Sequence, residues 1–237
     1  LPKGLEKDAS ELMIKRLRLL SEVAEILGNV IEAEKLFPKV LEKLLDVYPE
    51  AERGCIMVCD PDGSNLHPVA ALARPGVEHQ MSVSRSLAKE VVGTRSAVLS
   101  ADVSGDQRFD PQHTVVRFGL RTVMCAPMIC ENTVLGLIQL DSSNPEHRFS
   151  RADMALFLGI AGHTALAFGK SRLHDQLMAQ ILFQKDLQLA ERIQHSFLPK
   201  ALPKMTGYRF AESYLAARHI GGDYYDFVQV SDNAIGI

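Results

Sequence analysis

Apolar positions switch repeatedly between helical and strand period along this chain, and each switch marks a new element. From Glu11 to Ile31 the residues Met13, Leu17, Leu20, Ala24, Leu27 and Ile31 alternate at spacings of four and three with charge between them. That is the heptad seam of a helix made to pair with another helix, and Gly28-Asn29 supplies its stop. A second helix is predicted from near Lys35, with Pro38 tolerated in its first turn and Leu36, Val40, Leu41, Leu44 and Leu45 turned inward.

At Arg53 the period shortens to that of a strand. Cys55 to Cys59 is predicted as a buried strand, Asp60-Pro-Asp-Gly63 as a turn, and Leu66 to Leu72 as the hairpin partner. Ser84 caps a short helix, Arg85 to Val92, which turns Ala88, Val91 and Val92 to the core and is closed by Gly93. A small strand at Ala97 to Leu99 leads into a polar loop, Asp102 to Gln112, with Asp110 near its end, in which Asp106 and Arg108 are expected to brace each other as an ion pair. Two apolar strands follow, Thr122 to Cys130 and Thr133 to Leu140, joined by the tight turn Glu131-Asn132, with Gly136 marking a close packing point and Asp141 to Pro145 forming a loop.

After this loop helical spacing returns. Ser150 caps a helix with Met154, Phe157, Leu158, Ala161, Ala165 and Phe168 on its apolar face. From Lys170 to Leu198 there is neither glycine nor proline, so the helix is expected to continue. Met178, Leu182, Leu189, Ile193 and Phe197 form an apolar stripe along it, and such a stripe calls for a partner helix, with the same helix of a second copy as the symmetric solution. His174 reads as a solvated helix residue. Leu198-Pro199 ends the helix, and strand character returns at Tyr208 to Leu215 and in a hairpin of Tyr224 to Val230 with Asn233 to Ile237 around Ser231-Asp232. The whole is of α+β class: an antiparallel sheet flanked by helices, then a long connecting helix and a short β segment. Four parts are expected: a dimerisation helix at 1–28, a globular domain at 29–169, a connecting helix at 170–198 and a β segment at 199–237.

Composition adds mainly exclusions. A net charge of -3 over 237 residues gives no footprint for nucleic acid. Cys55, Cys59, Cys125 and Cys130 lack paired spacing and sit in apolar runs, so they are read as reduced core thiols. The apolar runs are too short for a membrane span, Leu1-Pro-Lys-Gly lacks the form of a signal peptide, and a cytoplasmic protein with no membrane partner is expected. Leu1, where an initiator Met would stand, suggests a stretch cut from a longer chain.

The chemistry is concentrated late, in Arg218-His-Ile-Gly-Gly-Asp223-Tyr-Tyr-Asp226-Phe227. A carboxylate directly after two glycines suits a hard divalent cation, because Gly221 and Gly222 permit close approach, although the same letters also describe a turn between strands. Asp226 is read as bracing the hairpin and Tyr224, Tyr225 and Phe227 as packing residues.

Two resemblances organise these observations. Cys125-Ala-Pro-Met128, Leu135-Gly-Leu-Ile-Gln139 and Phe149-Ser-Arg-Ala-Asp153, in this order of elements, resemble a GAF sensory domain from about Leu27 to Gly169. The resemblance implies a small-molecule ligand site of unspecified chemistry. Members that bind cyclic nucleotides carry Asn-Lys where Asp141-Ser142 stand here and Glu where Met154 stands, so that ligand is not expected. Ala190-Glu-Arg-Ile-Gln194, Phe197-Leu-Pro199, Leu202-Pro203 and Ala217 to Phe227 resemble the entrance of a SpoIIE-type serine/threonine phosphatase of the metal-dependent PPM class, from Leu189 to Ile237. That resemblance implies manganese or magnesium ions, Asp223 as the first metal ligand, Arg218 as a contact to the substrate phosphate, and phosphoserine or phosphothreonine proteins such as anti-sigma-factor antagonists as substrates. The later Asp ligands would follow Ile237, beginning with an Asp-Val-x-Gly signature, so no complete catalytic set is expected within these residues and no metal is expected to bind. The expected function is the sensory and dimerising region of a bacterial signalling phosphatase; the alternative is a non-enzymatic small-molecule sensor. A diguanylate cyclase shares Gly-Gly-Asp but continues it with Glu-Phe, unlike Tyr224-Tyr225.

Overall fold

The computed structural model describes residues 25, 33–60, 63, 65–77, 85–103, 106, 120–231 and 233–237. The N-terminal heptads, the Ser84 cap, and Arg108 and Asp110 in the polar loop lie outside the described residues. The chain divides into two compact units at Arg172/Leu173.

In the first unit, helix α1 (Ala33–Val47) precedes strands β1 (Arg53–Cys59) and β2 (Leu66–Ala73). Helix α2 (Arg85–Thr94), strand β3 (Val98–Ser100), the hairpin β4 (Thr122–Cys130) and β5 (Thr133–Ser142), and helix α3 (Arg151–Phe197) follow. The sheet has the order β2-β1-β5-β4-β3, with every pairing antiparallel, as the alternating strand pattern predicts.

Two apolar layers cover it. Leu36, Val40, Leu41 and Leu44 of α1 and Phe157, Ile160 and Ala161 of α3 pack with Ile56, Ile138 and Leu140 on one face. Leu87, Ala88 and Val91 of α2 pack with Val98, Val123, Cys125 and Leu137 on the other. The alternation of Leu137, Ile138 and Leu140 between the layers is the period-two signature of a central strand. Arg74, just after β2, caps the end of α1 by donating to the carbonyls of Leu45 at 2.6 Å and Ala51 at 2.7 Å.

Several local expectations hold and several change. Glu131 and Asn132 adopt φ of 47° and 65°, the two-residue hairpin turn the sequence predicts. Ser150 and Asp153 form a reciprocal cap: the Ser150 amide donates to Asp153 Oδ2 at 2.8 Å and the Asp153 amide donates to Ser150 Oγ at 3.2 Å. Helix α1 begins at Ala33, which puts Pro38 beyond the first turn, and Pro38 is exposed. Helix α2 runs past Gly93, and the left-handed residue beyond its end is Arg95 at φ 54°, tied to the Asn132 side chain at 2.8 Å. Asp141-Ser142 is strand, not loop, because Arg53 and Gln139 satisfy the Asp141 carboxylate. Leu158 is turned outward, while Leu156 and Ile160 carry the buried face of α3.

Helix α3 has 47 residues and is long and apolar enough, by length and composition, to cross a membrane, which the separate runs do not suggest. Its residues from Leu156 to Ser171 that are buried pack within the first unit. In the second unit only β6 (Val228–Ser231) and β7 (Ala234–Gly236) pair among the described residues. Tyr208 to Leu215 and Tyr224 to Phe227, expected as strands, have no ladder. Their rings meet each other instead: Phe210 with Phe227 at 5.9 Å and Tyr214 with Tyr225 at 6.4 Å between centroids.

Candidate functional site

Two places gather functional groups, one in each unit. In the first unit the site is the sheet face beneath α2. Gly54 faces the opposite side, since a Cβ there would meet Leu140 and Leu41, so its neighbours Arg53 and Cys55 point to the α2 side. Register then lays out two rows across the sheet: Arg53, Asp141 and Val123, and beside it Cys55, Gln139 and Cys125.

All of these groups are buried. Arg53 Nε donates to Asp141 Oδ1 at 2.7 Å and Gln139 Nε2 donates to Asp141 Oδ2 at 2.9 Å. Burial holds the Asp141 carboxyl above its ordinary value, and the Arg53 charge and the Gln139 hydrogen bond draw it only part of the way back. Burial also pushes both thiols upward, with the Asp141 charge adding to the effect on Cys55 and Cys55 to that on Cys125. These cysteines are therefore protonated and poor nucleophiles. All four cysteines are free, and Cys55, Cys59 and Cys125 are buried, as the apolar runs around them predict. The alternation reveals the strands but not the polar row; its signal in the sequence is a charged residue at the head of one apolar strand and a Gln and an Asp inside another.

In the second unit the Gly-Gly-Asp loop is held by Gln194 of α3. The Gln194 side chain donates to the Gly221 carbonyl at 2.5 Å and accepts from the Gly221 amide at 2.9 Å, a reciprocal pair that grips both backbone groups of one residue. Tyr214 donates from its hydroxyl to the Asp223 carbonyl at 3.2 Å, and its ring stands edge-on to His195 at 5.8 Å. Gly221 has to be glycine here, because a Cβ would lie 2.1 Å from the Tyr214 hydroxyl. Asp223 and Arg218 are both exposed, and Asp226 uses its carboxylate to accept from the Phe227 amide at 2.8 Å. Among the described residues no group of three or more His, Cys, Asp or Glu side chains could hold a metal ion. Gln194→Ala is expected to leave the first unit intact and to raise amide hydrogen exchange at Gly221 by about five- to thirtyfold, since the lost pair is worth about 1 to 2 kcal/mol. Unchanged exchange at Gly221 would mean that the pair does not hold the loop.

Comparison with known proteins places the first unit. The GAF domain family model matches residues 32–168. No curated protein matches the chain. Among solved structures, the GAF domain of a phosphoenolpyruvate-protein phosphotransferase from Coxiella burnetii superposes with a TM-score of 0.57 at 16% identity, covering 69% of this chain and 98% of that one. Free methionine-R-sulfoxide reductase from Neisseria meningitidis, solved with its substrate, gives 0.55 at 12% identity, covering 67% and 91%. The GAF domain of the cyanobacteriochrome TePixJ gives 0.53 at 13%, covering 62% and 95%. At these identities the likeness is one of fold. Matched by the family model over more than half its length, and built on the same antiparallel sheet and flanking helices, this chain belongs to the GAF domain family.

Proposed function

We propose that this chain is the sensory and dimerising region of a signalling phosphatase, in which a small molecule bound by the GAF domain alters what the long helix presents at its far end. The observation that carries the reading is continuity: α3 begins among the core residues beneath the sheet and, 47 residues later, ends beside Gln194, which grips the Gly-Gly-Asp loop. Because α3 is one continuous helix, its rotation or shift is a route by which a change at one place can reach the other. Asp223 would be the first metal ligand of a SpoIIE-type catalytic domain and Arg218 a phosphate contact, with phosphorylated anti-sigma-factor antagonists as substrates and a cytoplasmic location. A two-ion centre needs more carboxylates than this loop brings together, so no hydrolytic step is assigned to these residues.

Dimerisation belongs to the same proposal. Leu173, Leu177, Leu182, Leu189, Ile193 and Phe197 of α3 are exposed, and a second copy of the helix would bury them. Sedimentation is expected to give a dimer that Leu182→Glu with Ile193→Glu converts to monomer; a wild-type monomer at high concentration contradicts it. For the catalytic part, the full-length protein is expected to release phosphate from a phosphoserine protein with manganese and to lose that activity in Asp223→Asn. Full activity in the variant would exclude the phosphatase reading and favour the alternative, a non-enzymatic sensor whose GAF domain is the whole function.

A further inference from the structure

The row beneath α2 is built with two polar atoms left over. Arg53 Nη2 and Gln139 Oε1 are buried and have no hydrogen-bond partner among the described residues. Neither is a loose surface group: Arg53 is 4% exposed and Gln139 1%. Both side chains hang from the same Asp141 carboxylate, Arg53 on Oδ1 and Gln139 on Oδ2, so the leftover donor and the leftover acceptor sit on one patch of the sheet. Buried polar groups are paired in folded proteins as a rule, and an orphaned pair at one spot points to something that pairs with both.

The surroundings narrow what that is. The Arg53 charge is already balanced by Asp141, so the patch does not call for an ion. On the same face of the sheet its neighbours are Cys55, Cys125, Val123 and Leu137, all uncharged, and Leu87 and Val91 of α2 belong to the apolar cluster that holds the last three. A partner must therefore be small, mostly apolar and uncharged, yet offer a hydrogen-bond donor to Gln139 and an acceptor to Arg53. The group that carries both side by side is an amide or lactam, an N–H beside a C=O.

Resting on the reading of this domain as a small-molecule sensor, we infer that the sheet face under α2 recognises a small uncharged amide or lactam, with Gln139 Oε1 accepting from its N–H and Arg53 Nη2 donating to its C=O. Both atoms are sealed in this conformation, so this face must open to admit the ligand, and α2 is the described helix packed on it. Opening of this face is then the event by which occupancy is sensed.

The test uses nicotinamide and uracil against N,N-dimethylnicotinamide and 1,3-dimethyluracil, which keep the ring and the carbonyls and lose the N–H. Binding to the whole chain is measured by calorimetry and by melting temperature. The parent compounds are expected to bind at least tenfold tighter than their methylated forms. Arg53→Lys keeps an ammonium beside Asp141 while deleting Nη2, and Gln139→Met deletes the acceptor. Each is expected to weaken the parent compounds at least tenfold and to leave the methylated ones nearly unchanged, with circular dichroism confirming the fold. Equal binding of parent and methylated compounds, or no loss in either variant, overturns the inference. A panel of small metabolites lacking any amide separates the two levels: binding by that panel alone overturns the amide assignment and keeps the sensor reading, and binding by neither set overturns both.

Discussion

Gly136→Ala is expected to destabilise the sensory domain by at least about 4 kcal/mol, enough to remove most of a typical domain's stability. The reason is geometric. A Cβ built at Gly136 lies 2.1 Å from the Met57 carbonyl oxygen and 2.7 Å from Met128 Cε. The methionine side chain can move, but the carbonyl cannot: it belongs to β1, which is hydrogen-bonded along its length to β5 on one side and β2 on the other. Moving β5 away is no remedy either, because Gly136 pairs with Val58 of β1 and Met128 of β4 at once. Gly162→Ala is the matched control. It lies within α3 with nothing within 4 Å of the added methyl, so it is expected to be neutral or to stabilise by up to about 1 kcal/mol through helix propensity. Urea unfolding of both variants checks the pair; a cooperative transition near the wild-type midpoint for Gly136→Ala would contradict the packing at this point.

Asp141→Ala is the second large effect, expected to cost about 3 to 5 kcal/mol because it leaves the buried Arg53 guanidinium without its counter-charge and Gln139 Nε2 without its acceptor. Replacing the row together, Arg53→Met with Gln139→Leu and Asp141→Leu, is expected to recover that loss and to equal or exceed the wild type, since an apolar row between two apolar layers has no desolvation to repay. Such a result would mean that the row is kept for binding and at a cost in stability. The pH dependence carries the same information. The folded chain holds the Asp141 proton to a higher pH than the unfolded chain does, so this group's contribution is greatest below the ordinary aspartate range and declines as pH rises through the raised value. Asp141→Asn is expected to remove that part of the slope. A slope of opposite sign in the wild type would mean that the Arg53 charge outweighs burial.

The contrast between the two sites explains what could be read from the letters alone. Strands β4 and β5 are legible because their apolar runs are long and the Glu131-Asn132 turn is local, and α3 is legible because its cap, Ser150 with Asp153, spans three residues. The polar row is not, because the partner that makes Asp141 a strand residue is Arg53, 88 positions away. Gln194 and Gly221 meet across 27 positions through a side chain gripping the backbone of one residue, a contact with no compositional trace. Tyr208 to Leu215 misleads for the opposite reason: its aromatic residues at Tyr208, Phe210 and Tyr214 imitate strand spacing, yet a strand also needs a neighbour to bond with, and Phe210 and Tyr214 meet the rings of Phe227 and Tyr225 instead. Arg218 and Asp223 owe their proposed roles to a resemblance alone, and both stand exposed on the loop that Gln194 holds.

If occupancy beneath α2 is felt along the chain, amide hydrogen exchange over the whole protein, with and without saturating nicotinamide, will register it. Altered exchange is expected in α2 around Leu87 to Val91, together with a change at Gly221. Saturation that leaves both α2 and Gly221 exchanging at their unliganded rates would contradict it.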